Sequence, residues 1–237
     1  MEENDILDML ESDDKPFVEQ RAKENEEPQS SGKKINFWEE TDIPKIKIDP
    51  STIHRVDKSY AILLNIGNVN VPENIQEKIK ELVQALSTKG YIFRYSGDTI
   101  PFLMKIATSD STIMDMYVPW KKFNKELPNV TPKLHKMSDK AYGIAAYYHK
   151  GFAKLPNGVR AILARDVHIL LGEDCKRAVS FMITYTEDGC ESKDKIDYKT
   201  TGTVSFGITI ASEANIPIFN LKNDDAISRL IEYIKTI

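Results

Sequence analysis

The chain has 237 residues, of which 41% are hydrophobic and 29% are charged, which suits one sizeable core better than two. No apolar run approaches the roughly 18 residues that a membrane helix needs. The N-terminus is acidic, whereas a secretory signal begins with basic residues followed by an apolar stretch. These features exclude a membrane-spanning protein, and we expect a cytoplasmic one.

Two cysteines, Cys175 and Cys190, lack His or Cys neighbours at metal-ligand spacing. Two thiols in a chain of this length do not make a disulfide framework, so we expect both to be reduced. We also expect no metal site and no required cofactor.

The charge is distributed unevenly along the chain. Residues 1–31 hold 11 Asp/Glu and 3 Lys/Arg, a net charge of −8, so the rest carries about +4 of the overall −4. This acidic composition with few aromatic residues predicts a disordered tail over residues 1–35. An extended linker packing on the domain edge is expected over 36–59, and a folded domain over 60–237.

The tail contains one short apolar patch among acidic residues, formed by Ile6, Leu7, Met9 and Leu10. Such a patch can dock as an amphipathic helix in a groove of another protein. A few apolar residues in a mobile tail explain it equally well, so both interpretations stay open.

The folded pattern begins with a nearly continuous apolar run over 60–66, as in a strand buried on both faces. A helix follows from Pro72 to the stop at Lys89 and Gly90. Further apolar and periodic segments predict strands at 91–95, 113–118, 178–185 and 216–219, and helices at 100–107, 138–149, 158–171, 203–214 and 224–237. Because strands alternate with helices, we predict an α/β fold of Rossmann-like type, with a doubly wound, mainly parallel sheet and a helical excursion before residue 178.

In such a sheet, ligands bind beyond the carboxyl ends of the strands, where helix N-termini hold phosphate. Three segments of the chain meet this description, at 67–68, 96–99 and 200–205. The predicted ligand-binding residues are Gly67, Asn68, Arg94, Ser96, Gly97, Asp98, Thr99, Thr201, Gly202, Thr203 and Ser205. Plain helix capping explains the Ser and Thr residues about as well.

Catalysis would need a titratable group at these loops. Asp98 and Glu213 are the two carboxylate candidates. His149 and His168 lie on predicted helices, where a structural histidine is the commoner case. The sequence contains no Gly-x-Gly-x-x-Gly, Walker or Gly-x-Ser-x-Gly motif.

Several segments together resemble the DNA-processing-protein-A-like and Lonely-Guy-like (SLOG) Rossmann superfamily, and within it small phage-encoded members. The matching segments are Lys89-Gly90-Tyr91 leading to Arg94-Tyr95-Ser96-Gly97, MYVPWKKFN at 116–124, Tyr148-His149, Leu155, ARDVHILLG at 164–172, and Thr201-Gly202-Thr203 through Ala211 to IPIFNL at 216–221. The resemblance spans about residues 60–221 in collinear order. It implies a pocket for a nucleotide or nucleotide derivative and, for a phage protein, a location in the host cytoplasm.

The glycine-rich loops of this superfamily are changed in the present chain. SGGARGAD is replaced by SGDTIPFL at 96–103, and TGGTGQA by TGTVSFG at 201–207. A Cβ atom where backbone must approach a phosphate is a steric obstacle. The resemblance therefore implies a pocket that is either remodelled or lost, and Phe102 and Phe206 are large enough to plug it.

Four functions follow from these patterns, in order of preference. The first is binding of a nucleotide-type ligand, regulatory rather than strongly catalytic. The second is a protein-interaction module, in which the acidic tail contacts a replication, transcription or anti-defence partner. The third is single-stranded DNA binding, although no cluster of Lys and Arg interleaved with aromatic residues is visible. The fourth is an N-glycosidic hydrolase of nucleoside monophosphates.

Overall fold

Five parallel strands form the centre of the protein. The computed structural model describes residues 43–64, 71–96, 102, 103, 105, 114–121, 123, 133 and 136–237. The strands are β1 (His54–Leu64), β2 (Ile92–Tyr95), β3 (Met114–Met116), β4 (Arg177–Tyr185) and β5 (Ile218–Asn220). Their order is β3-β2-β1-β4-β5, and all four neighbouring pairs are parallel. This confirms the predicted α/β class and parallel sheet.

Helices cover both faces of the sheet. They are α1 (Glu73–Thr88), α2 (Asp139–Tyr148), α3 (Asn157–Leu171), α4 (Ser205–Glu213) and α5 (Ala226–Ile234). The alternation of β1 explains the two layers: Tyr60 and Ile62 join one core with α1 and α5, whereas Ala61 and Leu63 join a second core with α2, α3 and α4. Both faces are therefore buried, as a continuous apolar strand requires.

The strand order reverses between β1 and β4. The chain runs from β1 outward through β2 to β3, and then returns through α2 and α3 to β4 on the other side of β1. Connections that leave two neighbouring strands in opposite directions open a crevice at their carboxyl ends. This reversal determines where a ligand site can form.

The first strand is longer than the sequence pattern predicts. It begins at His54, inside the segment 36–59 that was predicted as a linker, and its first residues are polar and mostly exposed. His54, Arg55 and Val56 pair with the start of β4, and the register shifts before Tyr60, near the positive φ of Lys58. Exposed polar residues hide a strand from a hydrophobicity pattern, so the prediction started at Tyr60.

For most of the other elements, the first and last residues lie within two residues of the predicted ones. The helix predicted from 203 begins instead as a 3-10 turn, Gly202–Val204, and becomes α-helical at Ser205. Of the helix predicted at 100–107, the described residues Phe102, Leu103 and Lys105 are helical. The acidic tail, 1–35, lies outside the described residues.

The segment around Pro44 and Ile46, which precedes β1 and is called the strap below, packs closely on α2. The N–H of Ile46 donates to the carbonyl of Gly143 at 3.0 Å. A Cβ at Gly143 would lie 2.5 Å from the carbonyl oxygen of Pro44 and 2.7 Å from Cδ1 of Ile46. Glycine at this position therefore allows the close approach of strap and helix.

We predict that Gly143→Ala destabilises the protein by about 1–3 kcal/mol, because the new methyl group overpacks the strap. In a helix without such a neighbour, Gly→Ala stabilises by about 1 kcal/mol. Urea unfolding measures the difference. Gly151→Ala is the control, since its Cβ would meet nothing closer than 3.7 Å. A Gly143→Ala variant as stable as the parent protein would contradict the packing described here.

Candidate functional site

A cavity of about 410 Å³ opens at the carboxyl end of β1, on the face covered by α3 and α4. Its apolar walls come from the end of β1, from α3 and from the first turn of α4. They are formed by Ile62, Leu63, Leu64, Val159, Ile162, Leu163, Val204 and Phe206. The cavity therefore lies at the reversal of strand order, where parallel α/β sheets bind ligands.

Close packing of α4 on β1 brings hydroxyl groups to this cavity. A Cβ at Gly207 would lie 2.7 Å from Cδ1 of Leu63, so glycine allows α4 to pack on the strand without displacing that side chain. Thr203 and Ser205, in and just after the 3-10 turn that precedes α4, consequently line the cavity, as does Thr209 one turn later.

An ion pair between Arg165 and Asp166 lies where α3 lines the cavity. Arg165 is 1% exposed, and its Nε and Nη2 donate to Oδ1 of Asp166 at 3.1 and 2.8 Å. Its Nη1 donates to the carbonyl of Ser96 at 3.2 Å, and the guanidinium lies 5.6 Å from the ring centroid of Phe123. Arg165 thus ties α3 to the end of β2, and Arg165, Asp166 and Ser96 all line the cavity.

The sequence-predicted ligand residues other than Arg94 divide into three groups. Ser96, Thr203 and Ser205 line the cavity. Thr201 is fully buried beside it, with its hydroxyl bonded to Asp188 at 2.5 Å, and Gly202 has a φ of 67° that turns the chain into α4. Gly67, Asn68, Gly97, Asp98 and Thr99 lie outside the described residues, as do the partner-docking residues Ile6, Leu7, Met9 and Leu10.

Arg94 does not line the cavity. Its Nη1 donates to the carbonyls of Ile169 and Arg177 at 3.2 and 3.1 Å, near the last turn of α3 and the start of β4. Burial lowers the pKa of this guanidinium, although the nearby Tyr117 side chain opposes the shift. The cation therefore stabilises the C-terminal turn of α3 at the far end of the sheet.

Of the two carboxylates considered for catalysis, Glu213 lies at the C-terminal end of α4 and does not line the cavity. It accepts hydrogen bonds from Lys193 at 2.7 Å and from the hydroxyl of Tyr148 at 3.2 Å. Asp98 lies outside the described residues. The carboxylate that does line the cavity is that of Asp166, which the sequence analysis did not select as a site residue.

The signal for Asp166 was present in the sequence. Arg165 and Asp166 interrupt an otherwise apolar helix face, and a charged pair inside such a pattern needs partners or a cavity. Asp166 was not selected as a site residue because helical periodicity alone does not show which face of α3 turns toward the strand ends.

The two histidines of interest have different surroundings. His149 follows α2 and lines the cavity, with its ring centroid 6.5 Å from that of Phe206. Partial burial lowers its pKa, so the ring is neutral at neutral pH. His168 is fully buried: its Nδ1 donates to the carbonyl of Gly172 at 2.9 Å, and its Nε2 accepts from the N–H of Ser138 at 3.1 Å. His168 therefore joins the end of α3 to the start of α2.

The described residues contain no group of three or more His, Cys, Asp or Glu placed to hold a metal ion. Within the same residues, Cys175 and Cys190 are buried, and neither is in a disulfide. No helix of this part of the chain is both long and apolar enough to span a membrane.

Comparison of the chain with protein-family models, with curated proteins and with solved structures finds no match.

We predict that His168→Asn lowers the free energy of unfolding by about 1–3 kcal/mol at pH 7.5, since it removes two buried hydrogen bonds. Burial lowers the pKa of His168 below its ordinary 6.5. The contribution of the neutral ring is therefore complete above pH 6.5, and it declines below that value as the unfolded chain takes up the proton.

Urea unfolding at pH 7.5 and 5.5 tests this behaviour, with His54→Asn as the same change at an exposed histidine. The difference between the parent protein and His168→Asn should be smaller at pH 5.5. An equal or larger difference at the lower pH would show that His168 is charged in the folded protein.

Proposed function

We propose that the protein binds a nucleotide or nucleotide-derived ligand in the cavity at the carboxyl end of β1, and that it acts in the cytoplasm as a regulatory protein rather than as a strong catalyst. The observation that carries this proposal is the meeting of Ser96 with Thr203 and Ser205 at one cavity. These residues are far apart in sequence, and both segments follow strands of the sheet.

The position and size of the cavity support the proposal. Open parallel sheets bind nucleotides where the strand order reverses, and this cavity adjoins the reversal between β1 and β4. Its volume of about 410 Å³ falls within the usual range for small-molecule sites. The resemblance to a nucleotide-binding Rossmann superfamily points to the same ligand class.

The two aromatic residues that are large enough to plug the site leave it open. Phe102 is buried in the core on the opposite face of the sheet, with α1. Phe206 is 6% exposed and forms part of the cavity wall. The hollow is therefore large enough for a ring system and a sugar.

The charges around the cavity suit a ligand with a phosphate. The first turn of α4 lines the cavity, and the N-terminus of a helix carries a partial positive charge that favours anions. The exposed Lys150 lines the same cavity after the end of α2. Hydroxyl groups of Ser96, Thr203 and Ser205 add hydrogen-bond donors for phosphate or ribose oxygens.

We predict that Leu163→Trp weakens nucleotide binding by about tenfold or more, because the larger ring fills the cavity. Leu82→Trp is the matched control: Leu82 is also a partly buried helical leucine, but it lies on the other face of the sheet. Its affinity should stay within about twofold of the parent value, as for a distant independent site. Isothermal titration with nucleoside monophosphates, nucleoside triphosphates and cyclic dinucleotides gives the dissociation constants.

Two results would count against the proposal. The first is a folded parent protein that shows neither heat of binding nor a thermal shift with any of these nucleotides at millimolar concentration. The second is an equal loss of affinity in both tryptophan variants, which would place the ligand elsewhere or indicate general damage to the fold.

One observation favours a second candidate, hydrolysis of the N-glycosidic bond of a nucleoside monophosphate. Such a reaction needs a carboxylate near the anomeric carbon, and Asp166 provides one in the cavity wall. Chromatographic detection of the free base after incubation with each monophosphate tests it. Release that persists in Asp166→Asn, or no release by the parent protein, would exclude Asp166 as the catalytic group.

A further inference from the structure

One aromatic side chain at the cavity differs from the others in its exposure. Tyr198 lines the cavity, yet its side chain is 76% exposed, the largest value among the exposed large hydrophobic residues of the described chain. A single exposed ring on a protein surface needs no explanation. Tyr198 differs from such a ring because it lies at a cavity and because hydrogen bonds fix its backbone.

The backbone of Tyr198 is fixed by a closed turn. The carbonyl of Asp197 accepts hydrogen bonds from the N–H groups of Thr200 at 3.1 Å and Thr201 at 2.7 Å. The N–H of Asp197 donates to the Thr201 hydroxyl at 3.2 Å, and that of Lys199 donates to Oδ1 of Asp197 at 2.9 Å. Tyr198 therefore lies inside a turn whose ends are bonded to each other in both directions.

A second set of hydrogen bonds ties this turn to the end of β4. Oδ2 of Asp188 accepts from the hydroxyls of Thr200 at 3.0 Å and Thr201 at 2.5 Å. Oδ1 of the same carboxylate accepts from the Thr186 hydroxyl at 2.6 Å and from the N–H of Cys190 at 3.2 Å. Burial opposes ionisation of Asp188, but these hydrogen bonds more than offset it and lower its pKa, so the carboxylate is charged at neutral pH.

The exposed ring is thus presented by a backbone that is already ordered. A preordered aromatic residue loses little conformational entropy when it binds a flat partner, because only its side-chain angles remain to be fixed. Two of the other aromatic rings at the cavity, those of Phe206 and His149, lie close to each other in its wall. The site therefore combines an exposed ring on an ordered turn with an aromatic wall.

We infer that Tyr198 stacks on the planar base of the ligand, so that the cavity recognises the base at least as strongly as the phosphate. This inference rests on the proposed function and specifies which part of the nucleotide is recognised. Stacking tolerates different bases because every base has a flat π-face. The ligand class is then a nucleoside or nucleotide with an intact base, and a sugar phosphate without a base binds poorly.

Isothermal titration of three variants of the full chain tests the inference. Tyr198→Ala removes the ring, and Tyr198→Phe keeps it without the hydroxyl. Ile231→Ala removes an exposed side chain of α5, on the other face of the sheet, that does not line the cavity. The probes are the nucleoside 5′-monophosphates, the corresponding nucleosides and ribose 5-phosphate.

We expect Tyr198→Ala to weaken binding of nucleosides and nucleotides by about tenfold or more, the usual effect of removing one stacking ring. Tyr198→Phe, which keeps the ring, and Ile231→Ala, which is distant from the cavity, should stay within about twofold of the parent protein. Ribose 5-phosphate should bind the parent protein much more weakly than a monophosphate. Unchanged thermal unfolding of each variant shows that the fold is intact.

The outcomes separate the inference from the proposed function. If nucleotides bind but Tyr198→Ala keeps the parent affinity, or if ribose 5-phosphate binds as tightly as a monophosphate, the stacking role is wrong and nucleotide binding stands. If no probe that carries a base binds the parent protein, both the proposed function and the stacking role are wrong.

Discussion

The pairing of β1 with β4 is the constraint on which the site depends. Parallel neighbours must be joined by crossover connections, and here the connections run from β1 toward β3 and then back across the sheet to β4. The carboxyl ends of β1 and β4 therefore lie side by side while their continuing chains leave in different directions. The cavity at the end of β1 forms beside this divergence, between the strand and the helices α3 and α4.

Hydrogen-bonded polar groups fix the elements around that gap. Arg165 joins α3 to the end of β2, His168 joins α3 to α2, and Asp188 joins the end of β4 to the turn before α4. Arg165 and His168 are buried, and their hydrogen bonds offset the cost of taking them out of water. The walls of the cavity are therefore held by side chains from several elements, and a ligand meets a preorganised site.

Sequence patterns were sufficient for the parts of the fold that bury apolar surface. The continuous run in β1, the period of α1 and the apolar β4 predicted the α/β class, and the rule that ligands bind at strand ends selected Ser96, Thr203 and Ser205. The polar start of β1 was missed because its residues are exposed and carry no hydrophobic signal.

The candidate site was less predictable, for geometric reasons. Arg94 was placed at the site because it lies near the end of β2, but its side chain bonds to backbone at the opposite end of the sheet. Asp166 and Tyr198 were not selected as site residues. The first depends on the rotation of α3 about its axis, and the second on a turn closed by hydrogen bonds between Asp197, Thr200 and Thr201. Neither is encoded in the spacing of apolar residues.

The most direct test of the central claim is amide hydrogen exchange of the full chain with and without a saturating nucleotide. Binding at the carboxyl end of β1 predicts slower exchange in three separate segments, around Ser96, around 148–151 and around 203–209. It predicts unchanged exchange at the start of β1 and in α5. Protection confined to other segments, or none at a nucleotide concentration that saturates binding, would contradict this location of the site.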